Sequence, residues 1–126
     1  MRRCAECETI KPLNEIHNDK NRPFGKSYRC KPCGSRHREI GHLKSKYGLT
    51  EDQHNEMIKN QNGACAICNS TDTGIERTKK LSIDHCHKTN KVRGLLCNWC
   101  NQGLGHFRDS PELLLNAIKY LSKERL

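Results

Sequence analysis

Four cysteines and three polar side chains hold the chemistry that this sequence can do. Cys65 and Cys68, in A-C-A-I-C-N, and Cys97 and Cys100, in L-C-N-W-C-N, are two Cys-x-x-Cys pairs separated by 28 residues. Four thiolates at this spacing close a tetrahedral shell around structural zinc. Apolar neighbours (Ala64, Ala66, Ile67, Leu95, Leu96, Trp99) keep water and a fifth ligand away. A pair of disulfides or a thioredoxin-like redox motif is the alternative, and the bracketing of a single hairpin by both pairs argues against it. Between the pairs stands Asp84-His85, and Asn101 follows Cys100 directly. Asp84 and Asn101 are oxygen ligands suited to magnesium or manganese, with positions left open for water and phosphate. An imidazole such as that of His85 can take a proton from that water.

These residues need elements to position them. Leu81 and Ile83 alternate with Ser82 and Asp84, the period-two pattern of a strand, and Val92 to Leu96 reads as its return partner. Lys88-Thr89-Asn90-Lys91 supplies turn chemistry between them. Asn101 then sits at the start of a helix, so strand and helix bring Asp84 and Asn101 together. In an ideal strand His85 points to the face opposite Asp84. Gly103 and Gly105 predict that the helix is short or bent.

The stretch resembles the HNH (ββα-metal) nucleases, and specifically the recombination endonuclease VII family of phages. The resemblance runs from Tyr47 to Leu121, through Y-G-L-T-E-D, G-A-C-A-I-C, L-S-I-D-H-C-H-K-T-N-K-V-R-G-L-L-C-N-W-C-N and G-L-G-H-F-R-D-S-P-E-L-L. It implies a DNA endonuclease with a one-metal mechanism, in which Asp84 and Asn101 ligate the catalytic ion and His85 is the general base. His87 matches the family's second histidine, which supports the phosphate or the metal site. Products with 5′-phosphate and 3′-hydroxyl ends are implied, as is a phage-encoded protein in the host cytoplasm; its substrate is left open between junction, nicked or branched, and plain duplex DNA. Two positions depart from the family pattern. Leu104 stands where a further acid is expected one helical turn beyond Asn101, and Asn90 stands where a turn glycine is expected. Asn90 is read as a left-handed turn residue rather than as a ligand.

A second set of pairs, Cys4/Cys7 and Cys30/Cys33, is separated by 22 residues and predicts another zinc site. The expected fold is therefore a small α+β protein. A zinc-stapled ββα-metal (His-Me finger) core with flanking helices fills residues 47–126, and an N-terminal Cys4 zinc finger with a linker helix fills residues 1–46. No Asp-His pair lies in the first finger, which is read as structural. Its basic residues, Lys20, Arg22, Lys26, Arg29 and Lys31, are candidate contacts to the DNA backbone, as is Arg93 on the return strand. Cys86, the ninth cysteine, is read as a small packed side chain, and His106 as a secondary candidate for the base.

Composition agrees with this plan. Hydrophobic residues make up 33% of the 126 residues and aromatics 5%, too few for a generous core without metal staples. The first fifty residues hold 12 basic and 5 acidic side chains, net +7, out of +9 for the chain. Two four-thiolate zinc sites would add about −2 each and leave roughly +5, still suited to a polyanion such as nucleic acid. No secretory leader or long apolar run appears, which predicts a soluble intracellular protein with reduced thiols and no membrane. Gly34 to Tyr47 is expected to be helical. Thr50 is expected to cap a second helix with Met57 and Ile58 inward, and Gly63 to end it. Residues 69–80 are read as a polar loop of variable conformation. Ser110-Pro111-Glu112 starts a last helix. Its apolar Leu114, Ile118 and Leu121 call for burial, against the finger or in a homodimer. A catalytically silent zinc-finger DNA-binding protein is the alternative function, and a thiol redox protein a third.

Overall fold

An antiparallel hairpin that runs into a helix occurs twice in this chain, each time with a cysteine at the helix N-cap. The structure is a computed structural model and describes residues 1–123. It divides into two units, Met1–Glu51 and Asp52–Leu126.

In the first unit, β1 (Arg2–Arg3) and β2 (Ile10–Lys11) flank the turn bearing Cys4 and Cys7. β3 (Ile16–Asn18) pairs with β4 (Lys26–Cys30), with Ile16 opposite Cys30 and Asn18 opposite Lys26. Helix α1 (Lys31–His42) follows, capped by Cys30, and continues as a π turn (Leu43–Tyr47) that ends on left-handed Gly48. The helix begins three residues before the expected Gly34, because Pro32 is acceptable in a first turn, where its missing N–H costs nothing. Cys4, Ile16 and Cys30 are buried together, with Cys33 against them.

The second unit follows the same order. Helix α2 (Glu51–Asn60) stops before Gly63, whose φ of +69° lets its N–H reach the Ile58 carbonyl at 2.9 Å. Met57 is half-buried, but Ile58 is 37% exposed, contrary to the inward placement expected for both. β5 (Ser82–His85) pairs with β6 (Val92–Leu96), placing Ser82 opposite Leu96 and Asp84 opposite Gly94. The register then slips, so that His85 faces Val92 and Arg93 sits at the irregularity. Helix α3 (Asn98–His106) is capped by Cys97 and packs against β5. It is short, as its glycines predict. The core is Cys65, Leu96 and Cys97, with Leu81, Cys100 and Leu104 packed on it. Leu104, where the family pattern expects an acid, thus serves packing.

Two polar side chains pin what surrounds this core. The Gln61 amide donates to the carbonyls of Ala64 (2.8 Å) and Leu95 (2.9 Å) and accepts the Leu95 N–H (2.9 Å), tying the end of α2 to β6. Thr73, 6% exposed, donates from Oγ1 toward the carbonyls of Ile75 and Thr78, and its own carbonyl accepts the Asn98 N–H at 2.7 Å. The loop read as variable is therefore anchored at Thr73.

The last helix, α4 (Pro111–Ser122), starts as read: Ser110 Oγ accepts the Leu113 N–H at 3.2 Å, with Pro111 in the first turn. Its apolar face is expected to meet the finger or a second copy of the chain. Leu114 and Ala117 are half-buried, but Leu115, Ile118, Tyr120 and Leu121 are 57–70% exposed. Among the described residues the finger leaves most of this face uncovered, and the homodimer alternative stands. No helix among the described residues is long and apolar enough to cross a membrane.

Candidate active site and metal centres

Each cysteine pair that precedes a hairpin is shaped by its backbone. In the first, the Cys4 N–H donates to Thr9 O (2.9 Å) and the Glu8 N–H to Cys4 O (3.0 Å), with Glu8 at φ +60°. In the second, the Cys65 N–H donates to Ser70 O (2.9 Å) and the Asn69 N–H to Cys65 O (2.9 Å), with Asn69 again at φ +60°. The partner pairs lie at helix starts, where the N-caps Cys30 and Cys97 have nearly identical backbone angles, −68°/163° and −67°/164°.

The result is two sets of four sulfurs, Cys4/Cys7/Cys30/Cys33 and Cys65/Cys68/Cys97/Cys100, each within 4.8 Å of one another. Across the turn and helix, Cys7 and Cys30 lie 3.8 Å apart and Cys68 and Cys97 3.7 Å apart. A zinc tetrahedron with bonds of about 2.3 Å has edges of about 3.8 Å, so both sets fit zinc in donor type and spacing. Their ionisation is uneven. Backbone N–H groups of Cys30 and Cys7 bring Cys4 down to about 6, while its hydrogen bond with Cys30 and burial push Cys33 up to about 12. In the second set burial opposes ionisation of Cys65, but the N–H groups of Cys68, Cys97 and Ile67 still bring it to about 6. Burial, then Cys97, pushes Cys100 up to about 12. Four thiolates repel one another, and a divalent cation would bring all four to that form.

Asp84, His85 and His87 gather on β5 and the turn after it. Asp84 is 8% exposed, and both its oxygens accept from one guanidinium: Arg93 Nε at 2.6 Å and an Arg93 terminal nitrogen at 3.0 Å. The same terminal nitrogen reaches Asp109 Oδ2 at 3.4 Å. Asp109 and its neighbour Arg108 both have left-handed φ (52° and 57°) in the turn between α3 and α4. These bonds, from Asp84 first, hold the Arg93 guanidinium more firmly protonated than usual. The β5–β6 register slip at Arg93 aims its side chain at Asp84, so Arg93 meets a carboxylate rather than standing free for phosphate.

His85 is half-buried, and its ring centroid lies 4.9 Å from that of exposed His87. Asn101 is half-buried in the first turn of α3, the helix packed on β5, and its N–H donates to Cys97 O at 3.0 Å. The donors fit a hard divalent cation in kind. A bidentate guanidinium uses one lone pair on each Asp84 oxygen and leaves the other available. His106 is exposed at the end of α3. A cleft of about 660 Å³ lies beside Arg93, the partner of Asp84, and is lined by Cys86, His87, Lys88, Arg108 and Asp109 among others; Asp84, His85 and Asn101 are not in its lining.

The turn that carries Cys86 repeats the backbone of the cysteine pairs. Its Cys86 N–H donates to Lys91 O (2.8 Å) and its Asn90 N–H to Cys86 O (2.7 Å), with Asn90 at φ +59°, the left-handed turn residue expected. Thr89 stands where a second cysteine would be. Its hydroxyl, then the N–H groups of Thr89 and Lys88, bring the Cys86 thiol down to about 7.

The proposed DNA contacts of the first unit lie on the loop between β3 and β4, on β4 and at the start of α1. Lys20 and Lys31 are exposed. Lys26 donates to Asn18 Oδ1 at 2.7 Å, and Arg22 lies over the Tyr28 ring at 4.8 Å. Arg29 is tied to Glu6 at 2.7 Å. Sequence reasoning missed Gln61, Thr73 and Asp109, whose roles depend on partners remote in sequence. The paired left-handed residues before Ser110 were the one local signal, and an Arg-Asp dipeptide does not announce them.

The family model of recombination endonuclease VII matches residues 40–123. The Gene 59 protein of Mycobacterium phage D29 is 39% identical over 102 residues, covering 72% of this chain and 60% of its own length. The Gene 59 protein of Mycobacterium phage L5 is 39% identical over 100 residues, covering 71% and 59%. The chain thus spans about three fifths of the curated relatives it matches. Among solved structures, the ββα-Me type II restriction endonuclease Hpy99I aligns over 97% of this chain and 65% of its own, at 26% identity and a TM-score of 0.44.

Proposed function

Because the chain belongs to the recombination endonuclease VII family, we propose that its second unit is a metal-dependent DNA endonuclease of the HNH type. One observation carries the reading: the buried Asp84 and adjacent His85 lie on a strand packed against the helix that bears Asn101, beside a Cys4 cluster. Asp84 and Asn101 would hold magnesium or manganese, which when bound supplies charge neutralisation at the phosphate and at the leaving oxygen. His85 takes the proton from the attacking water, and His87, beside it, steadies the phosphate. Arg93 fixes the plane of the Asp84 carboxylate and balances its buried charge. Lys88 and Arg108 lend the cleft positive charge for a nucleic-acid backbone. Zinc in the two Cys4 sets is structural, since four thiolates close its shell. The products carry 5′-phosphate and 3′-hydroxyl ends, and branched or junction DNA is the substrate class.

Incubating the purified protein with matched linear, nicked and four-way DNA, with and without magnesium or manganese, tests this reading. Metal-dependent cutting with the stated ends is expected. No cutting under any metal would leave the alternative, a DNA-binding protein without catalysis. One observation favours that alternative: Arg93 already donates to both oxygens of Asp84 and balances its charge.

We also place a homodimer contact on α4, whose apolar face is exposed. Sedimentation of the wild type against a Leu115→Glu, Ile118→Glu variant checks it, a monomer being expected only for the variant. The phage origin of the relatives supports action in the cytoplasm of a bacterial host.

A further inference from the structure

We propose that Phe24, at the tip of the β3–β4 hairpin, stacks on an unpaired base of DNA, so that the first unit recognises defects in base pairing. The proposal rests on the DNA reading above. Phe24 is 95% exposed, the most exposed of the large hydrophobic side chains. It also has a left-handed backbone, φ 61° and ψ 16°, a conformation that glycine adopts freely and a bulky residue does not. No packing compensates that strain. A residue that costs stability and buries nothing within its own fold has its use outside it.

The tip is held firmly enough to act as a wedge. Its turn is closed by the Gly25 N–H to Arg22 O (3.0 Å), and its base by the Asp19 N–H to Gly25 O (3.0 Å) and the Arg22 N–H to Asp19 O (3.2 Å). Asp19 Oδ1 also accepts the Asn21 N–H at 3.0 Å. Lys20, Arg22 and Lys26 flank Phe24 in the chain, and Asp19 is the single acid among them. Below, the guanidinium carbons of Arg2 and Arg22 lie 4.9 and 4.8 Å from the centroid of Tyr28.

An exposed apolar ring on a loop rich in cations suits a nucleic acid: the cations meet phosphates and the ring meets a base face. A single ring is too small for a stable protein interface of its own. In a regular duplex each base is already stacked, so insertion must first unstack a step. An unpaired base removes most of that cost. The wedge therefore discriminates defective from regular DNA, which places its substrate class with branched and mispaired structures.

The test uses the full-length, zinc-loaded protein and two duplexes, one fully paired and one with a single unpaired 2-aminopurine, without divalent cation. Wild type is expected to bind the second more tightly and to change its fluorescence. Phe24→Ala should weaken that binding by about 5- to 100-fold, and binding to the paired duplex by no more than about two-fold. Phe24→Trp should keep the preference. Phe24→Gly should lose it with an unchanged or higher Tm, since glycine relieves the left-handed strain. Equal affinities of Phe24→Ala and wild type for both duplexes would overturn the wedge while leaving the DNA reading intact. So would an equal loss on both, or a change in self-association instead. Failure of the wild type to bind either duplex would overturn both readings.

Discussion

The two units repeat one plan, and they part at a few positions, one of them on the helix. Each has a cysteine turn with a left-handed residue four places on, then a hairpin, then a helix capped by the third cysteine of its set. Counting from those caps, the residue after the fourth cysteine is Gly34 in the first unit and Asn101 in the second. A Cβ at Gly34 would run into the imidazole of His17, which comes from β3. The strands differ as well: β5 carries Asp84-His85, whereas β3 and β4 carry no acid. The same scaffold thus has an oxygen donor on its helix in one copy and a histidine ring pressed on bare backbone in the other. A finger of this kind is a frame, and on the proposed reading two or three positions decide whether it holds a second ion.

The largest expected effect comes from removing what the copies share. Two zinc ions per chain are expected by elemental analysis, and a strong chelator should abolish the circular-dichroism signal of both units, because such sites supply folding energy outright. One zinc, with the first cysteines reactive toward a thiol reagent, would break the symmetry of the comparison.

Next come the histidines, which should not be equivalent. His85→Ala should lose roughly 10²- to 10⁴-fold in the rate of DNA cutting, with zinc content and DNA affinity retained. His17→Ala, at the matching strand, should cut at the wild-type rate. Equal loss in both would mean that neither histidine is the base. Equal retention would send the search to His87 or His106.

A smaller effect should follow from installing the missing donor. Gly34→Asn is expected to destabilise the first unit by about 1–3 kcal/mol, the usual cost of overpacking. Adding His17→Ala should recover most of it, measured by denaturant unfolding. Full tolerance of the single variant would show that the two helices are not in register.

The smallest is electrostatic. Replacing Lys20, Arg22 and Lys26 together by Ala should lower the slope of log affinity against log salt by about three at most, on every DNA alike. The same measurement on a Lys88→Ala, Arg108→Ala variant separates contacts made by the first unit from those made at the cleft.

Features written locally in the chain were legible in advance. The cysteine spacings, the alternation before Asp84, the left-handed Asn90 and the Ser110-Pro111 helix start depend on neighbours a few residues away. What escaped depends on partners brought near by folding. Arg93 looks like a cation free for phosphate until the register slip turns it onto Asp84. The glutamine at position 61 reads as a polar helix end until Leu95 needs both of its backbone groups paired. Periodicity marks α4 as apolar on one side, but it cannot say whether this chain supplies the surface to cover it. At Leu104 family likeness expects an acid, and a core this small has taken the position for packing.

The turn at Cys86 carries a consequence for how these fingers unfold. It reproduces the hydrogen bonds and the left-handed residue of both cysteine turns although Thr89 replaces the second sulfur. Chelation is therefore not the mould of that backbone shape, which four or five residues set by themselves. The ion acts instead as a tether, joining a preformed turn to a helix start across 22 residues in one unit and 28 in the other. A tether stabilises by denying the unfolded chain its freedom to separate those ends, and that freedom grows only logarithmically with the span. The two spans differ too little to matter, so a graded chelator should release the two tethers over nearly the same range.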